Sequence, residues 1–437
     1  MVPRGAGGGA ARRGGVISRG PVANDSSLNW EDFKQALTPT VLVAALGYFV
    51  DIYDLLLFRV VREPSLTSLG VADADRLSVA VTLDNFQQAG LLVGGVLWGT
   101  LGDKRGRLSV LYGSILMYSV ANLLNAYVTN IPMYQALRFV AGVGLAGELG
   151  AAITLVSEVL SPRSRGYGTT IVASVGVCGA VVAALVAKLT TWQTAYLVGG
   201  GLGLSLLVLR VKLSESGMFE KAASHDGRVS RGNFFALFQD SNRAARYAAC
   251  ILVAIPIWYV VGLLMSYGDK LAPLVGVSGA VTTADCILWG YAGLAVGDLT
   301  SGLVSQQLGS RRRAMAAFMS LVAVANGLYF VAMRGRPPWV FRGVCFVLGL
   351  GAGYWAMFMQ ATAEQFGTNL RATATTTASN FVRATVIPMG LAMKALAPRY
   401  GLDKSVALVG GVVAVGAIAG LLMLEETFGK DLAFEEE

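Results

Sequence analysis

The chain reads as an all-α membrane protein with twelve transmembrane helices in two pseudo-symmetric six-helix halves. Three observations predict this. Hydrophobic residues make up 54% of its 437 residues and charged residues only 14%, against about 25% charge in a typical soluble domain. Apolar runs recur along the whole length, each close to the roughly 20 helical residues that cross a hydrocarbon core. Finally, the short charged loops between the runs are written twice.

The runs lie near residues 38–58, 80–101, 108–128, 133–157, 167–187, 193–211, 245–267, 282–304, 314–333, 339–361, 373–396 and 405–424. They are rich in Leu, Ala, Gly and Val and do not alternate, so they are not the strands of about 10 alternating residues that build a membrane barrel. Residues 1–27 are Gly- and Arg-rich with no apolar core, which does not fit a signal peptide; a disordered N-terminal tail is expected there. LNWEDFKQAL, residues 28–37, has the pattern of a short amphipathic helix at the inner membrane surface. The first half then spans 28–211, a basic linker loop 212–244, the second half 245–424 and a tail 425–437.

The net charge of +8 reports topology and does not call for nucleic acid. With both termini in the cytoplasm, 22 of the 35 Lys and Arg fall in cytoplasmic segments and 10 in outer ones, as the positive-inside rule requires. Arg138, Arg342 and Arg383 fall inside spans, the bases within two residues of a span end being counted with the loops. The cysteines at 178, 250, 286 and 345 are scattered singly through apolar runs, as buried small hydrophobes are, and have no metal spacing.

GTLGDKRGR (residues 99–107) stands between spans 2 and 3. GLVSQQLGSRR (302–312) stands between spans 8 and 9, offset by 203 residues. After span 4, SEVLSPRSRG carries Glu158 and Arg165; after span 10, AEQFGTNLRA carries Glu364 and Arg371, offset by 206. Parallel halves with a substrate site between them near the bilayer midplane are an architecture of alternating-access carriers.

GTLGDKRGR resembles the loop 2–3 motif of the major facilitator superfamily, and the resemblance covers about residues 38–432. RFVAGVGLAGE (138–148), SEVLSPRSRG, SESGMF (214–219) and ETFGKDL (426–432) are similar to features of its sugar-porter, phosphate- and metabolite–proton-symporter and organic-ion branches. The resemblance implies a major facilitator fold. Gly99 would let span 2 approach a neighbouring helix, and Asp103 would cap the dipole of span 11. Arg107, Glu158 and Arg165 would complete a conformational latch on the inner face. Gln306 stands where the second half should carry an acid, so the latch is expected to rest on the first half.

GYFVDIYDLLLF, residues 47–58, places Asp51 and Asp54 three apart on one face of span 1. It resembles a segment of phosphate–proton symporters whose acids face the central cavity, and the same resemblance puts Glu148 of span 4 there. Three buried carboxylates are not all ionised cheaply, so one carries a proton at neutral pH; proton coupling is expected from Glu148, Asp51 and Asp54. Glu148 and Arg138 lie ten residues apart on one span, about 15 Å along a helix, and do not pair directly.

In span 11, ATTTASNFVRATVIP sets Thr376, Asn380 and Arg383 on one stripe with Ser379 beside it, and Pro388 is expected to kink the helix. Arg383 offers a fork suited to a carboxylate or phosphate; a standing salt bridge to Asp51 or Glu148 is the competing reading. Trp258, Tyr259, Tyr354 and Trp355 are further cavity candidates. Asp84 and Gln88 read as an outer vestibule, Asp298 as a partner of residues 311–313, and Lys394 as snorkelling.

No P-loop, zinc spacing or nucleophile motif is present, so no enzyme, no cofactor and no ATP-driven pump is expected. The sequence implies a secondary carrier of the inner membrane: a monomer in lipid that carries protons together with a small anionic metabolite. A cation neutralising Asp51, Asp54 and Glu148 stays open as the substrate, as does proton-antiport export. Span 5 lacks the Gly-Pro pair of the antiporter branch, and span 7 lacks the Gln-rich pattern of sugar carriers. A transport-dead sensor is the reading from another class.

Overall fold

The structure, a computed structural model, describes residues 34–105, 107–160, 164–214, 233–367, 369–430 and 436. Helix α1 (Pro39–Ser68) starts beneath Thr38, whose side chain accepts the Val41 N–H, with Pro39 placed where a missing donor is harmless. Next come α2 (Asp73–Arg105), α3 (Arg107–Asn125), α4 (Ile131–Leu145), α5 (Glu148–Val159), α6 (Arg165–Leu189) and α7 (Trp192–Ser214). A 3-10 turn at Phe234–Phe238 precedes α8 (Ser241–Tyr259). There follow α9 (Gly268–Leu274), α10 (Thr283–Leu308), α11 (Arg311–Val331), α12 (Pro338–Ala352), α13 (Trp355–Gln365), α14 (Arg371–Ala384), α15 (Val386–Tyr400) and α16 (Leu402–Met423). Among the described residues, nine helices are long and apolar enough to cross a membrane.

Four of the predicted spans are not continuous. Span 4 is divided into α4 and α5 around Ala146 and Gly147, and span 10 into α12 and α13 around Gly353 and Tyr354. In span 7, Pro256 has no N–H for the Leu252 carbonyl, and α8 passes into a π-helical turn at Val260–Met265. Pro388 acts one turn earlier than its own position. It leaves the Ala384 carbonyl without a donor, and the helix breaks at Thr385 between α14 and α15.

Lipid tails are as apolar as the helices they surround, so close packing by small residues holds such a bundle together. Gly90 and Gly94 of α2 lie against the Phe139 and Val143 carbonyls of α4, and Gly142 of α4 against the Gln87 carbonyl, with no room for a β-carbon. The pattern recurs between α10 and α12. Gly293 and Gly297 meet the Phe346 and Leu350 carbonyls, and Gly349 meets that of Gly290.

Gly349→Val is therefore expected to destabilise the protein by about 3 kcal/mol or more, the upper range of overpacking penalties. Gly411→Val, with open space around it, is expected to be tolerated. Yield and the elution profile of the purified variants check both.

Two other seams have more room in places, although Gly95 of α2 still sits 3.0 Å from Asn380 of α14. Gly99 of α2 sits 3.7 Å from Thr373, Thr376 and Thr377 of α14, and Gly302 of α10 sits 3.3 Å from Thr170 of α6, measured from the position a β-carbon would take. At the predicted outer end the same regions meet again. Lys188 of α6 pairs with Asp285 of α10 at 2.6 Å, and Lys394 of α15 donates to Ser78 of α2 at 2.7 Å. Arg62 of α1 also pairs there with Asp269 of α9 at 3.1 Å. Contacts thus cross between these helices at both ends. Of the cysteines, 250, 286 and 345 are buried as expected, but Cys178 is exposed.

Candidate functional site

Asp51 and Asp54 come from the middle of α1 and are fully buried. Across from Asp51, Arg383 of α14 places Nη2 at 3.5 Å from Oδ2. No hydrogen bond joins them. Both Asp51 oxygens and Arg383 Nε and Nη2 lack a partner among the described residues. The two charges therefore compensate one another while keeping donors and acceptors in reserve. Two rings flank the guanidinium, with Cζ 5.9 Å from the Trp258 centroid and 5.8 Å from that of Trp355. The rings stand 6.3 Å apart at 67°.

The structure brings Arg383, Asp51 and Trp258 together, but not the other proposed substrate residues. Tyr354 turns away, its hydroxyl donating to the Val253 carbonyl at 2.8 Å; Trp355 takes the place beside Arg383. Asn380 donates to the Ala146 carbonyl at 2.9 Å, seating α14 on the α4–α5 break. Thr376 packs on Gly150 and accepts from Asn380 through its carbonyl. Both join helices and leave the charge pair to Arg383. Tyr259 is likewise engaged with the Val406 carbonyl at 3.1 Å.

Asp54 lies beside Asn122 of α3 and fits against Gly199 of α7, with both oxygens unpartnered among the described residues. Glu148, in the first turn of α5, is held by Arg210 of α7, whose Nη1 donates to Oε2 at 3.1 Å while Nη2 donates to Oε1. Gly47 of α1 closes over that pair. Arg138 is not its partner, as the helix spacing requires. Arg138 donates to Gln87 and lies 4.7 Å from the Phe58 ring.

Three polar readings are corrected. Asp84 and Gln88 are not a hydrated vestibule, since both are buried. Asp84 accepts from Arg59 Nε and Nη2 of α1 at 3.1–3.2 Å. Asp298 does not meet residues 311–313; it accepts the Ala356 N–H at 3.0 Å and so caps the start of α13, where an anion suits the helix dipole. Lys394 does not only snorkel, because it bonds Ser78.

Arg59 and Arg210 went unremarked in the sequence because each sits near a span end and counts there as a loop base. The available signal was an unmatched acid, Asp84 or Glu148, with a base at similar depth on a neighbouring span.

The profile of the Major Facilitator Superfamily matches residues 40–391. The chain belongs to the Major Facilitator Superfamily. Its relatives within the superfamily include the niacin transporter of Acinetobacter baylyi, 26% identical over 78% of this chain and 84% of the relative. The sialic acid transporter of Escherichia coli is 23% identical over 91% and 97%. The gentisate transporter of Corynebacterium glutamicum is 25% identical over 89% and 88%. The protein is a transporter and not an enzyme.

Of the latch expected from the superfamily's loop motifs, Gly99 does meet α14. The side chains of Asp103, Arg107, Glu158 and Arg165 lie outside the described residues. In the second half, Gln306 is exposed, yet this end is firmly built. Arg311 pairs with Glu364 at 3.3 Å and donates to Ser305 Oγ at 2.9 Å, while Thr427 donates to Glu364 at 2.7 Å. Glu426, from the motif after the last span, accepts from Ser310 and from the N–H groups of Arg311 at 2.9 Å and Phe428 at 3.0 Å. It thereby caps α11.

Partial burial pushes the Glu426 carboxyl up. The hydrogen bonds from Ser310 and from the backbone N–H groups of Arg311, Phe428 and Arg312 outweigh that and hold it below the usual carboxylate range. A lowered folded-state value means that this contribution is complete above the ordinary range and is lost as pH falls through the lowered value. Glu426→Gln is expected to lower the melting temperature at pH 7. The difference from the parent protein should shrink as the medium is acidified below about pH 4, the ordinary carboxylate range; melting curves across pH check this.

Proposed function

We propose that the protein is a secondary carrier of the inner membrane that moves a small organic anion together with a proton by alternating access. The observation that carries this reading is the buried, incompletely bonded pair of Arg383 and Asp51 between two tryptophans. Twelve spans in two halves, 28–211 and 245–424, with both termini cytoplasmic, are part of the proposal. The glycine contacts of α2 with α4, repeated between α10 and α12, support it, as do the contacts across both ends.

In the empty carrier Arg383 compensates Asp51. An incoming carboxylate takes the free Nε–H and Nη2–H donors of Arg383, in the geometry a guanidinium offers a carboxylate. Asp51 then loses its cation, and an uncompensated buried charge is costly; taking up a proton removes that cost. Anion and proton therefore enter the occluded state together and leave together. Asp54, adjacent on the same helix and equally unpartnered, is the second proton site. Glu148 is held by Arg210 as a standing pair, which supports assigning the coupling to Asp51 and Asp54.

Niacin, gentisate and sialic acid, in the names of the relatives, are all carboxylic acids. The flat rings of Trp258 and Trp355 beside the base suit a planar, ring-bearing carboxylate. An anionic substrate is favoured by the unpartnered donors beside Asp51, Arg383 Nε and Nη2 and Trp355 Nε1.

The test is proton flux in liposomes holding the purified protein, with nicotinate, gentisate, sialic acid, phosphate and quaternary ammonium ions offered in turn. A carboxylate is expected to acidify the lumen as it enters. Asp51→Asn should still bind the carboxylate but carry no protons. A response to cations alone, retained in Arg383→Gln, would overturn the proposal.

A further inference from the structure

We infer that Arg59 forms a second recognition point beside the same indole, Trp258, reading a neutral hydrogen-bond acceptor on the substrate at a distance from its carboxylate. This rests on the anion reading of Arg383. Arg59 is 1% exposed. Asp84 occupies its Nε and Nη2, but Nη1 has no partner among the described residues. A buried guanidinium N–H is costly to leave unpaired, and a ligand atom would satisfy it.

The placement joins Arg59 to the substrate base. Its Cζ lies 5.4 Å from the centroid of Trp258, the ring that Arg383 approaches at 5.9 Å. Gln88, with its amide oxygen turned to Arg59, accepts from Nη2 at 3.0 Å and donates to the Arg383 carbonyl at 3.3 Å. Tyr291 of α10 lies within electrostatic reach of both guanidiniums. Two arginines, each with free N–H groups, thus flank one indole and are bridged by one amide.

Charge decides what each reads. Asp84 already neutralises Arg59 through three hydrogen-bond contacts, so a second anionic group there would meet the Asp84 charge. Arg383 has only an unbonded ion contact with Asp51. The two bases therefore suit a monoanion whose carboxylate meets Arg383 and whose hydroxyl, ring nitrogen or carbonyl meets Arg59 Nη1. A dicarboxylate does not fit that pattern.

The experiment is equilibrium binding to the purified full-length protein in lipid nanodiscs, comparing benzoate, the three hydroxybenzoate isomers and terephthalate. At least one hydroxybenzoate should bind about tenfold or more tightly than benzoate, the ratio that one added hydrogen bond supplies, and terephthalate should bind no better than benzoate. Arg59→Lys, which keeps a cation for Asp84, should bring the hydroxybenzoate preference to within about twofold while benzoate affinity is held. The paired variant Arg59→Gln/Asp84→Asn, which leaves no buried charge, should do the same. An unchanged preference in both variants, no preference in the parent protein, or tighter binding of terephthalate would overturn the Arg59 assignment alone. If no aromatic acid binds the parent protein, the ring-bearing anion reading itself falls.

Discussion

Arg383→Gln is expected to lower carboxylate uptake by about a hundredfold or more. A hydrogen bond to a charged group contributes about 1.5–3 kcal/mol, and each 1.4 kcal/mol is about tenfold in affinity; this base has two unpartnered donor nitrogens for the substrate. Asp51 would also lose its partner base, ending the exchange of one partner for another. Arg383→Lys keeps the charge but gives up the planar fork and its contacts with Trp258 and Trp355, so an intermediate loss of about tenfold is expected. Initial uptake rates in proteoliposomes, beside melting curves showing that the variants are folded, measure both. Parental rates in Arg383→Gln would remove Arg383 from the site.

Arg210→Met is expected to cost about 3–5 kcal/mol of stability, because it strands Glu148 as an unpaired buried charge. Most of the expressed protein should aggregate. The double variant Glu148→Gln/Arg210→Met removes both charges and is expected to recover folded protein, as neutral replacements of buried pairs often do. If it also retains carboxylate-driven proton flux, Glu148 serves the fold and Asp51 serves coupling. A folded double variant without proton flux would return the coupling role to Glu148.

Nine of the predicted runs coincide with helices long and apolar enough to cross a membrane among the described residues; they were legible because each run has to match a fixed thickness of hydrocarbon. Arg383 and Asp51 were legible because a charge inside such a run stands out against its neighbours. The choice of partner was not. Spacing along one helix excludes Arg138 for Glu148, but it says nothing about which face of which other helix supplies Arg210. Asp84 and Asp298 were misjudged for the same reason: one answers a base on α1, the other a helix start created by the break at Gly353 and Tyr354. Such breaks depend on where backbone carbonyls find donors, which hydropathy does not record; Pro256 and Pro388 mark two of the four, and the other two have no such signal.

The two grades of helix contact decide where this molecule is stiff. Along α2–α4 and α10–α12 a glycine face meets a carbonyl with no spare space, so each pair behaves as a single beam. Along α2–α14 and α6–α10, Gly99 and Gly302 meet threonines at 3.7 and 3.3 Å, with more room than the glycine–carbonyl contacts leave. Compliance is therefore expected in those two seams, the first of which is formed by the jointed helix α14–α15. On the alternating-access reading proposed above, strain is expected to be released there as rotation of one pair of beams against the other. Hydrogen exchange should record this as slow, uniform protection within α2 and α4 and faster exchange at Thr385, where the joint lies.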